Sequence, residues 1–337
     1  MWDWPSRRSG SIDEAMDLQL QIRPFRFALI QPLRTAAGVL RDRSGWLLRL
    51  ESRGGRIGWG EVSPLDQALL PRCRRELETL PSPLTRETLE PLLPRLSGAI
   101  GFGLGGALAE LDGLVGDRAR RGWLMAPQGA ELLPAGGLML PHLDRLLEQR
   151  GRRRALTLKW KVAAEADGLE RRWLEQLMER LPSTARLRLD ANGGWDRTTA
   201  LAWMRSLVGD ARFAWLEQPL PPDDRDGLES LAEQGPVALD ESLMRDPRLR
   251  ETWPGWQVRR PAVDGDPRLL LRDLQEGMPQ RMVSTAFETG IGRRWLHHLA
   301  ALQMQGPTPA APGLAPGWCP AGPLFCDDPQ VVWEAAA

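Results

Sequence analysis

Between residues 132 and 304, short apolar runs alternate with longer amphipathic stretches. The runs have the length of β-strands, whereas the stretches repeat apolar residues every three or four positions, as helices do. Repeated strand–helix units of this kind form parallel sheets, either open or closed into a barrel. The predicted strands are 132–140, 155–162, 186–190, 213–217, 237–240, 256–260 and 281–286, and the predicted helices are 142–149, 166–180, 197–208, 224–234 and 291–304.

The residues before these units follow a different pattern. Three runs that begin at Gln19, Trp46 and Arg56 alternate apolar with polar residues and predict antiparallel strands joined by turns. Helical patterns follow at 66–80, 86–96 and 98–115. The sequence therefore predicts a polar leader (1–18), an α+β domain (19–121), the strand–helix units (122–305) and a Pro/Gly-rich tail (306–337) that returns to the α+β domain.

Composition and charge exclude several classes of function. The 44 basic residues balance 44 acidic ones, which argues against nucleic-acid or anionic-membrane partners. The longest apolar stretch is too short to span a membrane, and the first residues lack the apolar core of a secretory signal. Three cysteines are too few for a disulfide framework. We therefore expect a cytoplasmic protein with a small-molecule partner, and the oligomeric state stays open, a monomer included.

The chain contains only two lysines, Lys159 and Lys161, and both lie in one predicted strand. A lysine amine can lose its proton when burial or a neighbouring cation lowers its pKa, whereas arginine stays charged. Side chains repeat every two residues along a strand, so both amines share one face and Lys159 would depress the pKa of Lys161. We expect Lys161 to be a proton base. The alternative is a pair of solvated charges on an edge strand.

Four predicted strands end in a charged residue at intervals of one strand–helix unit. Lys161, Asp190, Glu217 and Asp240 are separated by 29, 27 and 23 residues. Strand ends of a parallel barrel meet at one face, where three carboxylates would repel one another without a cation. Oxygen ligands with no nearby His or Cys favour Mg²⁺, with Mn²⁺ as a substitute. The sequence predicts this metal site, with Asn192 and Glu241 beside it as hydrogen-bonding support; taken singly, Asp190 or Asp240 could instead be a helix N-cap.

The motifs at these strand ends, Lys-x-Lys, Asp-Ala-Asn, Glu-Gln-Pro and Asp-Glu-Ser, resemble those of the enolase superfamily, and more narrowly of its o-succinylbenzoate synthase family. The resemblance extends from Phe25 through Gly58-Trp59-Gly60-Glu61 to the segment 284–292. It implies a modified (β/α)7β TIM-type barrel, with an N-terminal α+β capping domain that the C-terminal tail completes. It also implies that Mg²⁺ is bound by Asp190, Glu217 and Asp240.

The activity that the resemblance implies is a dehydration. Lys161 would remove a proton α to a carboxylate, and the metal would hold the resulting enediolate. The product would be o-succinylbenzoate, formed from 2-succinyl-6-hydroxy-2,4-cyclohexadiene-1-carboxylate in menaquinone or phylloquinone biosynthesis. For substrate binding, the resemblance points to a lid around Thr35 and to the segment that contains Ser284, Thr285, Glu288 and Gly290. Arg188 would pair with a substrate carboxylate if it points inward, or else with the metal ligands.

One catalytic position departs from the family pattern. The family's second lysine precedes a proline on the sixth strand, and this chain has Arg260-Pro261 there. Arginine does not give up its proton, because its pKa exceeds about 12, so a two-base racemase would lack one base. Dehydration needs a single base, and Arg260 could still stabilise the enediolate as a fixed cation. The alternatives are another superfamily activity, such as N-succinylamino acid racemisation or cycloisomerisation, and an inert barrel used for binding.

Overall fold

The computed structural model describes residues 17–35, 38–150 and 156–336. Residues 1–16 of the predicted leader, and Ala36 and Ala37 of the predicted lid, lie outside the described residues. The N-terminal part forms an antiparallel sheet in the order β1-β2-β3. Its strands are β1 (Leu18–Thr35), β2 (Gly38–Ser52) and β3 (Ile57–Val62). The three predicted strands are therefore confirmed, and the first two are longer than the sequence indicated.

Helices α1 (Leu70–Glu78), α2 (Arg86–Leu89) and α3 (Gly98–Leu111) complete this capping unit. The predicted single helix over 86–96 is wrong, since α2 ends at Leu89 and a separate 3-10 turn covers Leu93–Arg95. Pro91 and Pro94 explain the break, because proline removes a helical hydrogen bond and clashes with the preceding turn.

The glycines of α3 allow close packing against the sheet. A Cβ on Gly60 of β3 would lie 2.0 Å from the carbonyl oxygen of Gly103, and one on Gly58 would lie 2.0 Å from that of Ala107. Side chains at these positions would therefore push the helix off the strand. Gly103 of α3 serves the same close packing, since a Cβ there would lie 2.8 Å from Val62 Cγ2 and 2.9 Å from the Glu61 carbonyl oxygen.

The rest of the chain forms a seven-stranded parallel sheet in the order β10-β9-β8-β7-β6-β5-β4. Its strands are β4 (Glu131–Leu133), β5 (Thr157–Lys161), β6 (Arg186–Asp190), β7 (Phe213–Glu217), β8 (Val237–Leu239), β9 (Trp256–Arg259) and β10 (Arg281–Val283). Its helices are α4 (Met139–Arg150), α5 (Asp167–Arg180), α6 (Arg197–Leu207), α7 (Arg225–Ala232), α8 (Glu241–Arg245), α9 (Leu249–Thr252), α10 (Pro261–Asp264), α11 (Pro267–Gln275), α12 (Gly290–Gln305) and α13 (Pro329–Ala335). The parallel strand–helix architecture is confirmed.

Two details of the prediction for this part are wrong. The first strand does not extend over 132–140, because β4 ends at Leu133, before Pro134, and a 3-10 turn at Gly136–Leu138 leads directly into α4. Helices α8 to α11 were not predicted. Three of them have only four or five residues, too few to show a helical period.

The tail closes the barrel before it reaches the cap. Gly313 accepts a hydrogen bond from the backbone N–H of Thr285 at 2.9 Å and donates one to the carbonyl of Val283 at 2.9 Å. Pro312 accepts one from the N–H of Ala130 at 2.8 Å. This segment therefore lies between β10 and the start of β4, in the position of an eighth strand. The domain boundaries stay a prediction.

Helix α13 then packs on the cap. The ring of Trp333 lies 5.7 Å from that of Trp59 in β3. The guanidinium of Arg23 in β1 lies 4.6 Å from the Trp333 ring and donates to the Trp333 carbonyl at 3.0 Å. Beginning and end of the described chain thus share one hydrophobic cluster. No helix in the described ranges has the length and apolar character needed to cross a membrane.

Candidate active site

A cavity of about 230 Å³ opens at the C-terminal ends of the barrel strands, under the cap. The cap supplies Leu40, Leu65 and Asp66 to its wall. The barrel supplies charged and polar side chains, namely Lys159, Lys161, Arg188, Asp190, Asn192, Asp240, Glu241, Arg260, Ser284 and Thr285. An apolar side formed by Leu132, Met244, Met282 and Phe287 faces the same space. A ligand there would meet both an apolar surface and a dense set of charges.

Strand register places the charged side chains in two levels. Lys161 is paired with Asp190, and Asp190 with Glu217, across β5, β6 and β7. Two residues earlier, Lys159 is paired with Arg188, and Arg188 with Trp215. Because side chains repeat every two residues, both levels point to the same side of the sheet. The predicted sharing of one face by the two lysines follows from this register.

Lys159 forms two ion pairs inside the barrel. Its Nζ lies 2.7 Å from Oδ2 of Asp190 and 2.5 Å from Oε1 of Glu217. Burial by itself would lower the pKa of Lys159. The carboxylates of Asp190, Glu217 and Asp240 raise this pKa by a larger amount, so the net shift is upward. In these two ion pairs Lys159 is held as the charged ammonium.

Lys161 is in a different environment, one level higher. Its Nζ donates to Oδ1 of Asn192 at 3.0 Å, and Asn192 Nδ2 in turn donates to Oε1 of Glu241 at 3.0 Å. Burial lowers the pKa of Lys161; Asp190 raises it in part, and the nearby cations Lys159 and Arg260 lower it further. The downward shift and its dependence on Lys159 agree with the prediction. A neutral amine at this position can accept a proton.

Arg260 binds the predicted metal ligand Asp240 in a bidentate pair. Its Nε donates to Asp240 Oδ1 at 2.8 Å and its Nη2 to Oδ2 at 2.5 Å. Its Nη1 donates to the Thr285 carbonyl at 2.6 Å and to Ser284 Oγ at 3.3 Å. Burial lowers the pKa of Arg260, but Asp240 and Glu217 outweigh it, so the guanidinium stays charged. Arg260 lines the cavity as a fixed cation.

The three predicted metal ligands are buried and lie at the ends of adjacent strands. Asp190, Glu217 and Asp240 are each at most 1 % exposed. Within the ranges that the structure describes, no three acidic, His or Cys side chains converge as a ready-made metal site. Lys159 and Arg260 instead lie among the carboxylates. The carboxylate oxygens of Asp190, Glu217 and Asp240 are the ligands that Mg²⁺ prefers, so their types and positions fit the ion. In this structure the same oxygens form ion pairs with Lys159 and Arg260.

Glu241 carries a further buried carboxyl beside these residues. Burial, together with Asp240 and Asp190, raises the pKa of Glu241 to about 8. Glu217 is fully buried and, among the described residues, is not part of the cavity wall. Burial and the carboxylates of Asp190 and Asp240 raise the pKa of Glu217, against the attraction of Lys159. The carboxyl groups of the site are therefore balanced by Lys159 and Arg260, and a divalent cation would have to take over oxygens that these two side chains bind.

Arg188 lines the cavity from the lower level. It is 2 % exposed, and its guanidinium lies 4.1 Å from the ring of Trp215. Among the described residues, Nε and Nη1 of Arg188 have no hydrogen-bond partner. Burial lowers the pKa of Arg188 to about 10, against the attraction of Glu217. Buried N–H groups without a partner are costly, so an anionic ligand in the cavity is the natural partner.

The remaining predicted substrate residues divide into three groups. Ser284 and Thr285 line the cavity. Glu288 and Gly290 are not among the described residues of its wall, because Glu288 accepts from Thr285 Oγ1 and the Ala286 N–H, and Gly290 packs against the Cys326 carbonyl. The side chain of Thr35 lies outside the described residues.

Sequence reasoning missed the role of Gln218. Its Nε2 donates to Ser242 Oγ at 2.7 Å and to the Leu220 carbonyl at 2.9 Å, and its Oε1 accepts from the N–H groups of Asp240 and Ser242. The backbone of Gln218 is left-handed, with φ 38°. This side chain ties the end of β7 to the end of β8, and its place in Glu-Gln-Pro was the one indication in the sequence.

Comparisons with known proteins agree on the family. Residues 141–252 match the family model described as enolase C-terminal domain-like. The chain is 36% identical to an o-succinylbenzoate synthase of Thermosynechococcus vestitus over 299 residues, which cover 84% of this chain and 88% of that one. A similar protein of Pectobacterium atrosepticum, also an o-succinylbenzoate synthase, is 28% identical over 78% of this chain and 80% of its own.

Solved structures show the same relationship. An o-succinylbenzoate synthase of Thermosynechococcus elongatus, complexed with Mg in its active site, has a TM-score of 0.78 and 33% identity over 94% of this chain and 99% of that chain. A muconate lactonizing enzyme of Pseudomonas fluorescens has a TM-score of 0.67 and 21% identity over 86% of this chain and 85% of that chain, and it shares the fold. The chain therefore belongs to the o-succinylbenzoate synthase family of the enolase superfamily.

Proposed function

We propose that this chain dehydrates 2-succinyl-6-hydroxy-2,4-cyclohexadiene-1-carboxylate to o-succinylbenzoate and water, as a step of menaquinone or phylloquinone biosynthesis. The observation that carries the proposal is Lys161, whose amine has a lowered pKa and lines a cavity beside buried carboxylates. The similarity to o-succinylbenzoate synthases over most of the chain supports the same activity.

Lys161 would act twice in this reaction. Its neutral amine takes the proton α to the ring carboxylate, and its ammonium form then donates a proton to the departing hydroxyl group on the same face. The C–H and C–O bonds break, a C=C bond forms, and water leaves, so the elimination is syn. Asn192 orients the amine through the 3.0 Å hydrogen bond. Lys159 and Arg260 keep their charge throughout and favour the anionic transition state.

Substrate orientation would come from both sides of the cavity. Arg188 presents buried N–H groups without a described partner, which suit a substrate carboxylate. Ser284 and Thr285 line the same cavity after β10, and Leu40, Leu65 and Phe287 offer apolar contact to the ring. The cap thereby also excludes water from the reacting carbon.

Asp190, Glu217 and Asp240 would bind Mg²⁺, with Mn²⁺ as a substitute. Their oxygen donors and their burial support this assignment, as does the Mg in the active site of the similar Thermosynechococcus structure. When bound, a divalent ion would offset negative charge at the substrate carboxylate and so make the α-proton more acidic. Metal binding would require Lys159 and Arg260 to give up carboxylate oxygens.

Turnover of the cyclohexadiene substrate, followed by absorbance, tests the proposal. We expect the aromatic product to form with Mg²⁺ and its formation to stop with EDTA. Metal binding without turnover, in folded protein, would instead favour a different enolate-forming reaction. Absence of both would favour an inert barrel used for binding, in which the Arg260–Asp240 pair permanently replaces the metal.

A further inference from the structure

The carboxylate of Glu61, at the end of β3 in the cap, binds the first turn of the barrel helix α12. Glu61 is 1 % exposed. Its Oε2 accepts from Thr289 Oγ1 at 2.6 Å and from the N–H groups of Thr289 and Gly292, both at 3.0 Å. A carboxylate at this end of a helix is favoured by the free N–H groups and the helix dipole. The cap thus provides the hydrogen-bond acceptor for the first turn of a barrel helix.

The backbone around this contact is packed so closely that the glycines at the start of α12 have no room for a side chain. A Cβ on Gly292 would lie 2.8 Å from Glu61 Oε2, and one on Gly290 would lie 1.9 Å from the Cys326 carbonyl oxygen. Cap, barrel and tail therefore meet at the start of α12, and a shift of Glu61 would be transmitted directly to the backbone there.

The segment immediately before α12 carries contacts of the active site. Thr285 Oγ1 donates to Glu288 Oε2 at 2.6 Å and accepts from the Phe287 N–H at 2.7 Å, which fixes a tight loop with φ 65° at Phe287. The carbonyl of Thr285 accepts from Arg260 Nη1 at 2.6 Å, and Arg260 binds Asp240. An unbroken series of contacts thus joins Glu61 to Asp240.

We propose that Glu61 is a positioning residue for the active site. By holding the N–H of Thr289, it fixes the loop of residues 284–289 so that the Thr285 carbonyl keeps Arg260 against Asp240 and the Ser284 hydroxyl faces the substrate. The kinetic part of this proposal rests on the proposed dehydratase function. Glu61 touches neither substrate nor reacting atoms, so its effect passes through the loop.

Glu110 of α3 offers a matched control. It is also a buried carboxylate of the cap, it also contacts α12, through Arg294 Nη2 at 2.9 Å, and burial raises the pKa of both Glu61 and Glu110 to about 7. It contacts the helix beyond its first turn, away from the loop. A merely structural role for Glu61 would make Glu61→Gln and Glu110→Gln behave alike.

The experiment compares stability, kcat and KM of these two variants in the full-length protein. We expect both to lower the melting temperature, and Glu61→Gln alone to raise KM by about fivefold or more. Equal kinetics of the two variants would overturn the proposal. If Glu61→Gln does not fold, Glu61→Asp, which keeps the charge but withdraws it by one methylene, replaces it with the same expected contrast.

Two further measurements separate this proposal from the proposed function. Amide hydrogen exchange of residues 284–289 needs no activity; faster exchange in Glu61→Gln than in Glu110→Gln supports the proposal, and equal exchange overturns it, even if the wild type turns over no substrate. In an active enzyme, a double-mutant cycle with Arg260→Met tests the route. Non-additive effects on KM support action through Arg260, and strict additivity overturns it.

Discussion

Arg260 and Asp240 form a two-point ion pair at the mouth of the barrel, with the guanidinium in the place where the family pattern has a second lysine. Because both sides of this contact are fixed, the guanidinium of Arg260 neither releases a proton nor turns easily toward a substrate carbon. In the proposed mechanism Lys161 is therefore the single base, facing the cavity from β5, and Arg260, directly after β9, is a fixed cation. This asymmetry leads to a first prediction.

Proton exchange should occur on one face only. With an N-succinylamino acid in D₂O, the wild-type enzyme should exchange the α-proton with retention of configuration, because Arg260 cannot deliver a proton from the opposite side. Arg260→Lys should introduce inversion, since a lysine at this position can carry a proton both ways. Mass spectrometry and chiral chromatography give the two quantities. Inversion by the wild type would show that a second base exists.

Lys161→Ala should lower kcat by roughly 100- to 10,000-fold, the contribution typical of a general base. The thermal midpoint should change much less than kcat, because the described hydrogen bond of Lys161 is made to a side-chain amide, that of Asn192. Steady-state kinetics and a melting curve separate the two effects. Near-normal turnover of this variant would remove Lys161 from the base assignment.

Lys159→Met should chiefly lower the stability of the metal-free protein. It leaves Asp190 and Glu217 without their ammonium partner, and breaking a buried ion pair costs about 3–5 kcal/mol in the free energy of unfolding. Mg²⁺ should restore part of that loss, because the same carboxylates are its proposed ligands. Urea unfolding with EDTA and with Mg²⁺ measures both. A loss of stability that Mg²⁺ does not reduce would argue against the metal site.

We expect the hydrogen bond between Leu124 and His298, which lies outside the active-site cavity, to be lost in acid. Its Nδ1 accepts from the Leu124 N–H at 3.2 Å, which requires the neutral ring, and burial lowers the pKa of His298 from 6.5 to about 4. As the pH falls, His298 therefore binds a proton in the unfolded chain at a higher pH than in the folded protein. The stabilising contribution is therefore complete above pH 6.5 and is lost as the pH falls from 6.5 toward 4, by up to about 1.4 kcal/mol per pH unit.

The measurement is urea unfolding across this range for the wild type and for His298→Gln. The raised pKa values of Glu61 and Glu110 act in the reverse sense in both proteins and cancel in the difference. We expect the two stabilities to converge as the pH falls. Parallel curves would show that His298 titrates normally.

The strands that carry the site were predictable because each is a short continuous segment that ends in a charged residue. Lys161, Asp190 and Glu217 end apolar runs of strand length, and the spacing of one strand–helix unit places them side by side. The pairing of Arg260 with Asp240 has no such local signature, since it depends on how two long side chains settle between neighbouring strands. The same holds for Glu61, whose partner Thr289 lies 228 positions away.

The eighth strand position shows a second limit of sequence patterns. Pro312 and Gly313 lie in a stretch rich in proline and glycine, with no run of apolar residues to indicate a strand. Their place in the barrel comes from backbone hydrogen bonds to residues 130, 283 and 285, which do not depend on a particular side chain. Conversely, β4 looked longer than it is because the apolar residue Leu138 belongs to the 3-10 turn and the apolar residue Met139 to helix α4.

The position of Gly313 also sets the order in which the molecule can be finished during its synthesis. A ribosome releases the chain from the N-terminus, so the cap strands and β4 to β10 are all available before the segment that seals the barrel. The cap waits still longer, because Trp59 meets its partner Trp333 only when α13 is released. Neither half can reach its final form before residues 312–333 have been synthesised, and the active site between them depends on the same segments.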